Sequence, residues 1–475
     1  MKSREQEKGF SIVNPTELQK RVLGSVIGSA EPVYESTRTA LLWNQVVPRR
    51  YPRLIAHVAH ENDVVEAVKF ARANRMKVAV RGGGHSWVGF PLRDDSLLID
   101  LGHLNRVTID RAARRAVVQP AIRSREFNRL LAAQGLAFPV GHCPTVPLGG
   151  FLLNGGLGWN LNAWGPGCFS IEAARVVTAD GSVQEVNERT NPDLLWAVRG
   201  AGPGFFGVVT ELSLRLYPAP RAITTSNYWY PLESVEEVGA WVAGVARELP
   251  QELELSIVTA AAHPAIADRC TASNGFACLV TGTAFMDDAS EAVDALSLLD
   301  RCPVSRGFLL REPNLATPID VLHDASGMTF PERHHYLADT LWTDSPPAEV
   351  LATSRKQFQR APSAKSFELF SVSTGTGPSP LPEGAYSMWA RALILCYAVW
   401  ERPEDDTANA QWHRTTIAAL DRYAVGHYVG ESDIVTDPTR AERSYSKANW
   451  ERLRALRRQY DPEGLFHGHF GSVTN

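Results

Sequence analysis

Residues 141–158 read Gly-His-Cys-Pro-Thr-Val-Pro-Leu-Gly-Gly-Phe-Leu-Leu-Asn-Gly-Gly-Leu-Gly. This stretch contains too much glycine for the interior of a helix or of a regular strand. It places one thiol, that of Cys143, shortly before a backbone that can approach a ligand closely. The sequence therefore predicts a ligand-binding loop, although a buried and inert thiol is the commonest role of a free cysteine.

A second glycine loop lies upstream, where Arg81-Gly-Gly-Gly-His85-Ser86 follows the strand-like run Lys77–Val80. Consecutive backbone N–H groups in such a turn form a concave site for anions such as phosphate. The imidazole of His85 ends the turn. Each loop alone could be an ordinary turn, but together they offer a phosphate site, a histidine and a cysteine.

The end of the chain carries a third motif. Ser444-Tyr-Ser-Lys-Ala-Asn-Trp-Glu-Arg-Leu453 precedes a helix-like segment, and Tyr460-Asp-Pro-Glu-Gly-Leu-Phe466 follows it. With these three motifs the chain resembles the berberine bridge enzyme-like branch of the vanillyl-alcohol oxidase (PCMH-type) flavoproteins. Members of that branch carry Arg-x-Gly-Gly-His and Gly-x-Cys-x-Thr-Val-x-x-Gly-Gly loops.

The resemblance implies FAD bound through two covalent links, from His85 to the flavin 8α-methyl group and from Cys143 to flavin C6. It also implies a third cofactor segment after residue 199. Gly202, Gly204 and Gly207 formally match G-x-G-x-x-G, but they precede a strand instead of a helix, which opposes a Rossmann site. The expected cofactor neighbours are Arg81, Gly82, Gly83, Gly84, Ser86, Thr145, Val146, Gly149, Gly150, Gly155, Gly156, Gly202, Gly204 and Val208.

The order of predicted elements indicates an α+β fold of two domains. A strand, a helix and a second strand lead into the His85 loop, and Tyr217-Pro-Ala-Pro220 marks a boundary. Strand-like and helix-like runs then alternate, which suits an antiparallel sheet covered by helices. We expect a PCMH-type FAD-binding domain over residues 1–220, a substrate-binding domain over 221–424, and a segment, 425–475, that returns to the first domain.

The catalytic base is harder to assign, because the chain departs from its family. Relatives often carry Tyr-x-Asn-Tyr where this chain has Tyr428-Val-Gly-Glu431. Many have Gln or Glu before a strand tyrosine, a position aligned here with Cys396, before Tyr397. A tyrosine after the second loop is replaced by Trp164. Tyr428, Glu431 and Tyr397 are the candidate bases, in that order.

The resemblance implies an oxidase that removes a hydride from an alcohol or amine carbon to flavin N5 and returns the electrons to O2, forming hydrogen peroxide. Val146 is small, which favours an oxidase in this family, and Pro147 replaces the usual glycine. An oxidative cyclase or tailoring enzyme of secondary metabolism stays open. So does a flavin-loaded binding protein with little turnover.

Composition limits the partners of this chain of 475 residues. It is 44% hydrophobic and 21% charged, with a net charge of −4, which suggests neither nucleic acid nor a membrane as partner. Six cysteines form no CxxC pair, so no metal site is expected. The N-terminus shows no secretory signal. We expect a cytoplasmic monomer or homodimer acting on a small organic molecule and molecular oxygen.

Overall fold

The computed structural model describes residues 14–304, 307–374 and 381–469. Strands before residue 221 are β1 (Ser25–Gly28), β2 (Leu54–His57), β3 (Lys77–Arg81), β4 (Ser96–Asp100), β5 (Val107–Asp110), β6 (Arg115–Val118), β7 (Leu136–Ala137), β8 (Ile171–Val177), β9 (Val183–Asn187), β10 (Val208–Arg215) and β11 (Tyr217–Pro218). Later strands are β12 (Ala222–Pro231), β13 (Leu253–Ala261), β14 (Phe276–Met286), β15 (Leu310–Ala316), β16 (His335–Thr343), β17 (Phe367–Val372) and β18 (Ala392–Trp400).

The helices of the same residues are α1 (Pro15–Gln19), α2 (Tyr34–Ala40), α3 (Glu61–Ala73), α4 (Ser124–Ala132), α5 (Leu148–Leu153), α6 (Leu161–Trp164), α7 (Pro192–Val198), α8 (Val235–Val245), α9 (Ala289–Leu296), α10 (Ile319–Thr329), α11 (Pro347–Phe358), α12 (Asp406–Leu420), α13 (Thr439–Arg443) and α14 (Lys447–Tyr460). Within the described ranges, none of them combines the length and the apolar character that crossing a bilayer requires.

Two sheets carry the glycine loops. The first has the order β1-β2-β4-β3, with β2 and β3 both parallel to β4, and the His85 loop leaves the end of β3. The second has the order β5-β6-β10-β8-β9 and is antiparallel. The sequence of residues 174–186 predicts a hairpin that turns at Asp180-Gly181, and this hairpin is confirmed, since β8 pairs with β9 across that turn. Apolar side chains of α3 pack on the first sheet and bury its helix-facing side.

The third sheet has seven antiparallel strands in the order β15-β12-β14-β13-β17-β18-β16. Helices α8, α9, α11 and α12 pack on one of its faces through a continuous apolar cluster that includes Val242, Phe358 and Ile417. Because side chains alternate along a strand, the residues between these core positions face the other way. That other face forms one wall of the cavity described below. The predicted antiparallel sheet with helices on one face is therefore confirmed.

Several local predictions differ from the structure. From the sequence, Asn62 is a possible cap of α3. In the structure His60 caps this helix, because His60 Nδ1 accepts a hydrogen bond from Asp63 N at 3.2 Å. From the sequence, Asn191 is a possible cap of a short helix. It does precede α7, but its φ is 52° and its side chain donates to Glu185 O at 2.8 Å instead of capping the helix. Between residues 221 and 424, strands β12, β15 and β16 and helix α10 were not predicted from the sequence.

The unpredicted elements have physical reasons. The β15 strand, Leu310–Ala316, lies at the sheet edge and contains Pro313, which fits only such an edge. The β16 strand contains Asp339, a charged residue that is uncommon in a buried strand. Arg440 forms an ion pair with this carboxylate inside the protein, so the charge is compensated.

The end of the chain packs against the first sheet. Phe466 forms a parallel bridge with Val78 of β3, and His467 N donates to Val78 O at 2.9 Å. Asp461 holds the approach to this bridge, because its carboxylate accepts from Leu465 N at 2.6 Å and Phe466 N at 3.0 Å. These contacts support the predicted return of the C-terminal segment, whereas the exact domain boundaries at 220 and 424 stay a prediction.

Candidate active site

A cavity of about 1130 Å³ lies between the open face of the seven-stranded sheet and the two glycine loops. Ordinary ligand sites hold roughly 300–1,000 Å³, so this space suits a large cofactor together with a second molecule. The predicted residues that line it are Gly82, Gly83, Gly84, His85, Ser86, Cys143, Val146, Gly149, Gly150, Gly202, Tyr397, Tyr428 and Glu431. The structure thus brings both covalent-link candidates and all three candidate bases to one cavity.

Six further predicted residues, all in the described ranges, lie outside that lining: Arg81, Thr145, Gly155, Gly156, Gly204 and Val208. Arg81 points away, because its guanidinium binds Asp100 Oδ1 at 2.8 Å and Leu41 O at 2.9 Å. Val208 is fully buried in the core. A Cβ at Gly204 would lie only 2.0 Å from His469 Cε1, so this glycine admits the C-terminal segment.

The two glycine loops pack directly against each other. A Cβ at Gly83 would lie 2.0 Å from Pro147 Cγ, and one at Gly82 would lie 3.6 Å from Gly150 N. The turn at Gly84 has a φ of 76°, and a Cβ there would meet Leu41 O at 2.0 Å. Glycine is therefore required at positions 83 and 84 by close approach and by backbone conformation.

His85 lines the cavity from the first glycine loop. Its ring stacks on Trp43, with the centroids 5.3 Å apart and the planes inclined by 23°. Burial, with smaller contributions from Arg81 and Arg123, lowers the pKa of His85 to about 3, against a hydrogen bond to the backbone of Thr145. The imidazole is therefore neutral near pH 7, with one ring nitrogen free to act as a nucleophile.

Cys143 faces the cavity from the second loop. Burial raises the pKa of its thiol, and hydrogen bonds from the side chain and backbone of Thr145 partly offset that effect. The Sγ–Oγ1 distance between Cys143 and Thr145 is 3.5 Å. Thr145 therefore forms a hydrogen bond with the sulfur of Cys143, although Thr145 does not line the cavity itself.

Tyr397 and Glu431 form a hydrogen-bonded pair at the cavity wall. The hydroxyl of Tyr397 donates to Glu431 Oε2. Burial raises the pKa of Glu431, while hydrogen bonds from Tyr397 and Trp87 lower it. The same burial, with the nearby Glu431 carboxylate, raises the pKa of Tyr397. The phenol of Tyr397 is thus aligned to pass its proton to a carboxylate.

Tyr428 lies beside this pair but makes different contacts. Its side chain is buried, with 4% of its surface exposed. Burial raises the pKa of the phenol, whereas the backbone N–H groups of Leu157 and Gly156 lower it. A Cβ at Gly430 would lie 2.8 Å from Tyr428 Cζ, so the chain passes tightly around the ring. Among the described residues, no carboxylate is hydrogen-bonded to the phenol of Tyr428 as Glu431 is to that of Tyr397.

Two family-based alignments do not match the geometry. Cys396 is fully buried between the sheet and its helices, on the face opposite Tyr397. Leu395 is the residue of β18 that faces the cavity beside Tyr397. The Gln or Glu side chain that many relatives carry therefore has no counterpart in the cavity at Cys396. Trp164 stacks on Tyr217 at 5.0 Å outside the lining, whereas Trp159 lines the cavity.

Glu254 is a cavity residue that the sequence did not single out. It lies on β13, where Leu253, Leu255 and Ile257 are buried and the residues between them face the cavity. The alternation of apolar and polar residues was the signal for this orientation. Glu254 Oε1 accepts a hydrogen bond from Leu161 N at 2.8 Å.

The cavity fits a flavin dinucleotide. Among the described residues, four lining side chains have a buried polar atom without a protein partner, namely Asn154 Oδ1, Trp159 Nε1, Trp229 Nε1 and His467 Nε2. A Cβ at Gly150 would meet nothing within 4 Å, which leaves the backbone open to a ligand. These atoms offer hydrogen-bonding partners, and Gly150 offers the close backbone approach, that a dinucleotide requires.

Comparisons with known proteins agree with this geometry. A family model described as FAD binding domain matches residues 52–187, and one described as berberine and berberine like matches residues 427–471. The chain is 29% identical to the FAD-linked oxidoreductase penO of Penicillium crustosum over 91% of this chain and 93% of that protein. It is 39% identical to (R)-6-hydroxynicotine oxidase of Paenarthrobacter nicotinovorans over 39% of this chain and 40% of that protein.

The solved structure of Physcomitrella patens BBE-like 1 has a TM-score of 0.80 with 19% identity, over 96% of this chain and 98% of that one. The TM-score shows a shared fold, and an identity this low shows nothing beyond it. The fold and the two family models define an FAD-dependent oxidoreductase. Within that class, the chain carries a berberine-like segment at residues 427–471 and is similar to FAD-linked oxidoreductases over most of its length.

Proposed function

We propose that the protein is an oxidase that holds FAD through covalent bonds to both His85 and Cys143 and oxidises an alcohol or amine carbon of an organic substrate. The observation that carries this proposal is that both side chains line one cavity from loops that pack on each other through Gly83 and Pro147. When bound, FAD accepts two electrons from the substrate and passes them to molecular oxygen, which becomes hydrogen peroxide.

Both attachment residues have environments that suit bond formation. The neutral imidazole of His85 presents a nitrogen lone pair, and Thr145 supports the sulfur of Cys143. Each attachment replaces one flavin C–H bond and one N–H or S–H bond of the protein by a C–N or C–S bond. The two electrons and two protons released per bond pass to oxygen.

Tyr397 and Glu431 are the proposed proton acceptors for the substrate. As the phenolic oxygen of Tyr397 takes the substrate proton, its own proton moves to Glu431 Oε2, to which it is already hydrogen-bonded. This arrangement moves the proton without leaving a charged phenolate in the buried site. Tyr428, without a carboxylate partner, is better suited to orient the substrate.

An oxidase must allow molecular oxygen to reach its flavin. Val146 lines the cavity next to the Cys143 loop, and its carbonyl is tied back by Ser124 Oγ at 2.8 Å. The loop therefore holds a small side chain, and not its backbone carbonyl, toward the cavity. This geometry supports access for oxygen, and Val146→Leu is the variant that would restrict it.

The intact mass of the acid-denatured protein tests the attachment. We expect an increment of one FAD in the wild type, retention of flavin in His85→Ala and in Cys143→Ala, and loss in the double variant. Loss of all covalent flavin in one single variant would contradict a second link. A wild-type mass without increment would contradict both.

Anaerobic reduction followed by exposure to air tests the oxidase activity. We expect alcohols or amines of a substrate panel to bleach the flavin, and air to restore its colour with release of hydrogen peroxide. Very slow reoxidation would indicate a dehydrogenase, and the absence of any bleaching would favour a flavin-loaded binding protein. The cytoplasmic location and the monomeric or dimeric state stay predictions.

A further inference from the structure

The sheet wall of the cavity is divided into polar and apolar rows. In the register of β12, β14 and β13, Thr225, Thr283 and Glu254 lie side by side. The next cavity-facing row contains Thr281 and Ser256, which are also paired. One end of the wall therefore presents hydroxyl groups and one carboxylate.

The row beyond them is apolar. Val258 of β13 is paired with Leu279 of β14 and Leu369 of β17, and Leu369 is paired with Leu395 of β18. All of these side chains line the cavity. The wall thus changes from polar to apolar over two rows, or about 13 Å at the usual strand rise.

Glu254 is an acid without a cationic partner. In the described part of the chain, its carboxylate receives backbone hydrogen bonds from Leu161 and Asn160, and no charged side chain contributes to its pKa. A carboxylate removed from water without a cation is unfavourable, and a ligand that supplies the cation offsets the penalty. The indole of Trp159 also lines the cavity and provides the aromatic surface that attracts cations.

We propose that Glu254 binds a protonated amine of the substrate, while the apolar row at Val258, Leu279 and Leu369 holds the adjoining hydrocarbon body. This inference rests on the proposed function in that both use the same cavity. Tyr397 is paired with Phe367 of β17, and β17 is itself paired with β13, the strand of Glu254. In this register, Glu254 and Tyr397 are separated by three rows along the sheet, about 20 Å. The bound ammonium is therefore distinct from the carbon that is oxidised, and Glu254 determines substrate specificity.

A purely structural role of Glu254 can be separated from this one. In Glu254→Gln the side-chain carbonyl oxygen still accepts from Leu161 N, so the contact between β13 and α6 persists while the charge is removed. Glu368→Gln is the matched control. Glu368 is an acid on the neighbouring strand β17, but it is fully buried and accepts a hydrogen bond from Ser354 Oγ at 2.5 Å, away from the cavity.

The experiment is calorimetric titration of the flavin-loaded protein at pH ~8 with 4-phenylbutylamine and with 4-phenylbutan-1-ol, which share one hydrocarbon body. We expect wild type to bind the amine at least about tenfold more tightly than the alcohol, and Glu254→Gln to lose that preference. Glu368→Gln should keep both affinities within about twofold.

Equal affinities of wild type for the two probes, or no binding of the amine up to ~10 mM, would overturn the proposal. So would a Glu254→Gln variant that keeps the preference. The covalent flavin content of every sample is measured by intact mass. If Glu254→Gln loses the preference for the amine in samples that carry no covalent flavin, Glu254 is still the amine site. Only the proposed flavin attachment is then contradicted.

Discussion

The ring of Pro147 occupies the space that a side chain at Gly83 would need. A Cβ at Gly83 would lie 2.0 Å from Pro147 Cγ and 2.6 Å from Pro147 Cδ. The two loops that present His85 and Cys143 therefore behave as one packed unit. Pro147, which departs from the glycine usual in the family, contributes the contact that fixes their separation.

Gly83→Ala should separate the two loops and reduce covalent FAD content strongly, because the added methyl group overlaps a rigid proline ring. The second-site change Pro147→Gly should restore much of the flavin content in Gly83→Ala. Intact mass and the flavin absorbance per protein measure both effects.

Gly244→Ala is the control for this pair, because a Cβ at Gly244 in α8 would meet nothing within 4 Å. Its flavin content should equal that of the wild type. A double variant that stays as poor in flavin as Gly83→Ala would show that the packing of Gly83 on Pro147 is not the reason for the defect.

Glu431 should set the pH dependence of flavin reduction. Burial raises its pKa, and the carboxylate accepts a proton only when ionised, so the rate should rise with pH and level off above this raised pKa. Tyr397→Phe removes the phenol that takes the substrate proton, so it should slow reduction. It also removes a hydrogen bond that lowers the pKa of Glu431, so the remaining rise should shift to higher pH. Stopped-flow reduction without oxygen, with any alcohol or amine that bleaches the flavin, measures the profile.

Glu431→Gln should abolish this rise and slow reduction by roughly 10²–10⁴-fold, the usual contribution of a general base. Tyr428→Phe serves as the comparison, because its ring lacks a carboxylate partner. If Tyr428→Phe were slowed as much as Glu431→Gln while Tyr397→Phe kept the wild-type profile, Tyr428 would be the base.

Asp100 should stabilise the first glycine loop. Its carboxylate accepts from Arg81 Nη1 at 2.8 Å and lies 2.7 Å from His57 Nδ1. Burial raises the pKa of Asp100, but the contacts with His57 and Arg81 outweigh it and leave the pKa lowered. Since this pKa is lowered on folding, the stabilisation is present above pH ~4 and is lost as the pH falls below that value.

Asp100→Asn should therefore lower the free energy of unfolding by ~3 kcal/mol at neutral pH, since it leaves Arg81 without its anion. Urea unfolding followed by tryptophan fluorescence measures the change, which should shrink in acid. Asp95→Asn is the matched control, because the pair of Asp95 with Arg53 is exposed at the aspartate and should contribute under ~1 kcal/mol. Equal losses in both variants would contradict a special role of Asp100.

The sequence allowed prediction of features that depend on local chemistry. The glycine loops and the alternation of β13 were visible because backbone conformation and strand periodicity leave direct traces. The partners of side chains were not visible. Glu254 could be placed on the polar face of a strand, but the loop at Leu161 that approaches it comes from 93 residues away.

The alignment of Cys396 illustrates the opposite case. Adjacent residues of a strand face opposite sides, so a Tyr397 at the cavity requires Cys396 to face the helices. That rule was available from the sequence, and it would have pointed to Leu395 instead. The hydrogen bond between Tyr397 and Glu431 could not be predicted, because it joins β18 to the C-terminal segment and forms only when the chain is folded.

The affinity of the amine site should itself depend on pH. Burial raises the pKa of Glu254 to about 7, against backbone hydrogen bonds from Leu161 and Asn160. His142 lines the same cavity and contacts Trp159, with ring centroids 4.2 Å apart, and burial lowers the pKa of His142 to about 4. His142 is therefore neutral over the range in which Glu254 titrates, and 4-phenylbutylamine stays protonated there.

Because only the ionised carboxylate attracts the ammonium, binding of 4-phenylbutylamine should strengthen as the pH rises from ~6 to ~8, while binding of the alcohol stays constant. Calorimetric titration across this range measures the slope, and Glu254→Gln should remove it. Glu368→Gln should preserve it, although burial also raises the pKa of Glu368 to about 7. A slope that survives in Glu254→Gln would assign the titration to another group and leave Glu254 as a backbone acceptor for α6.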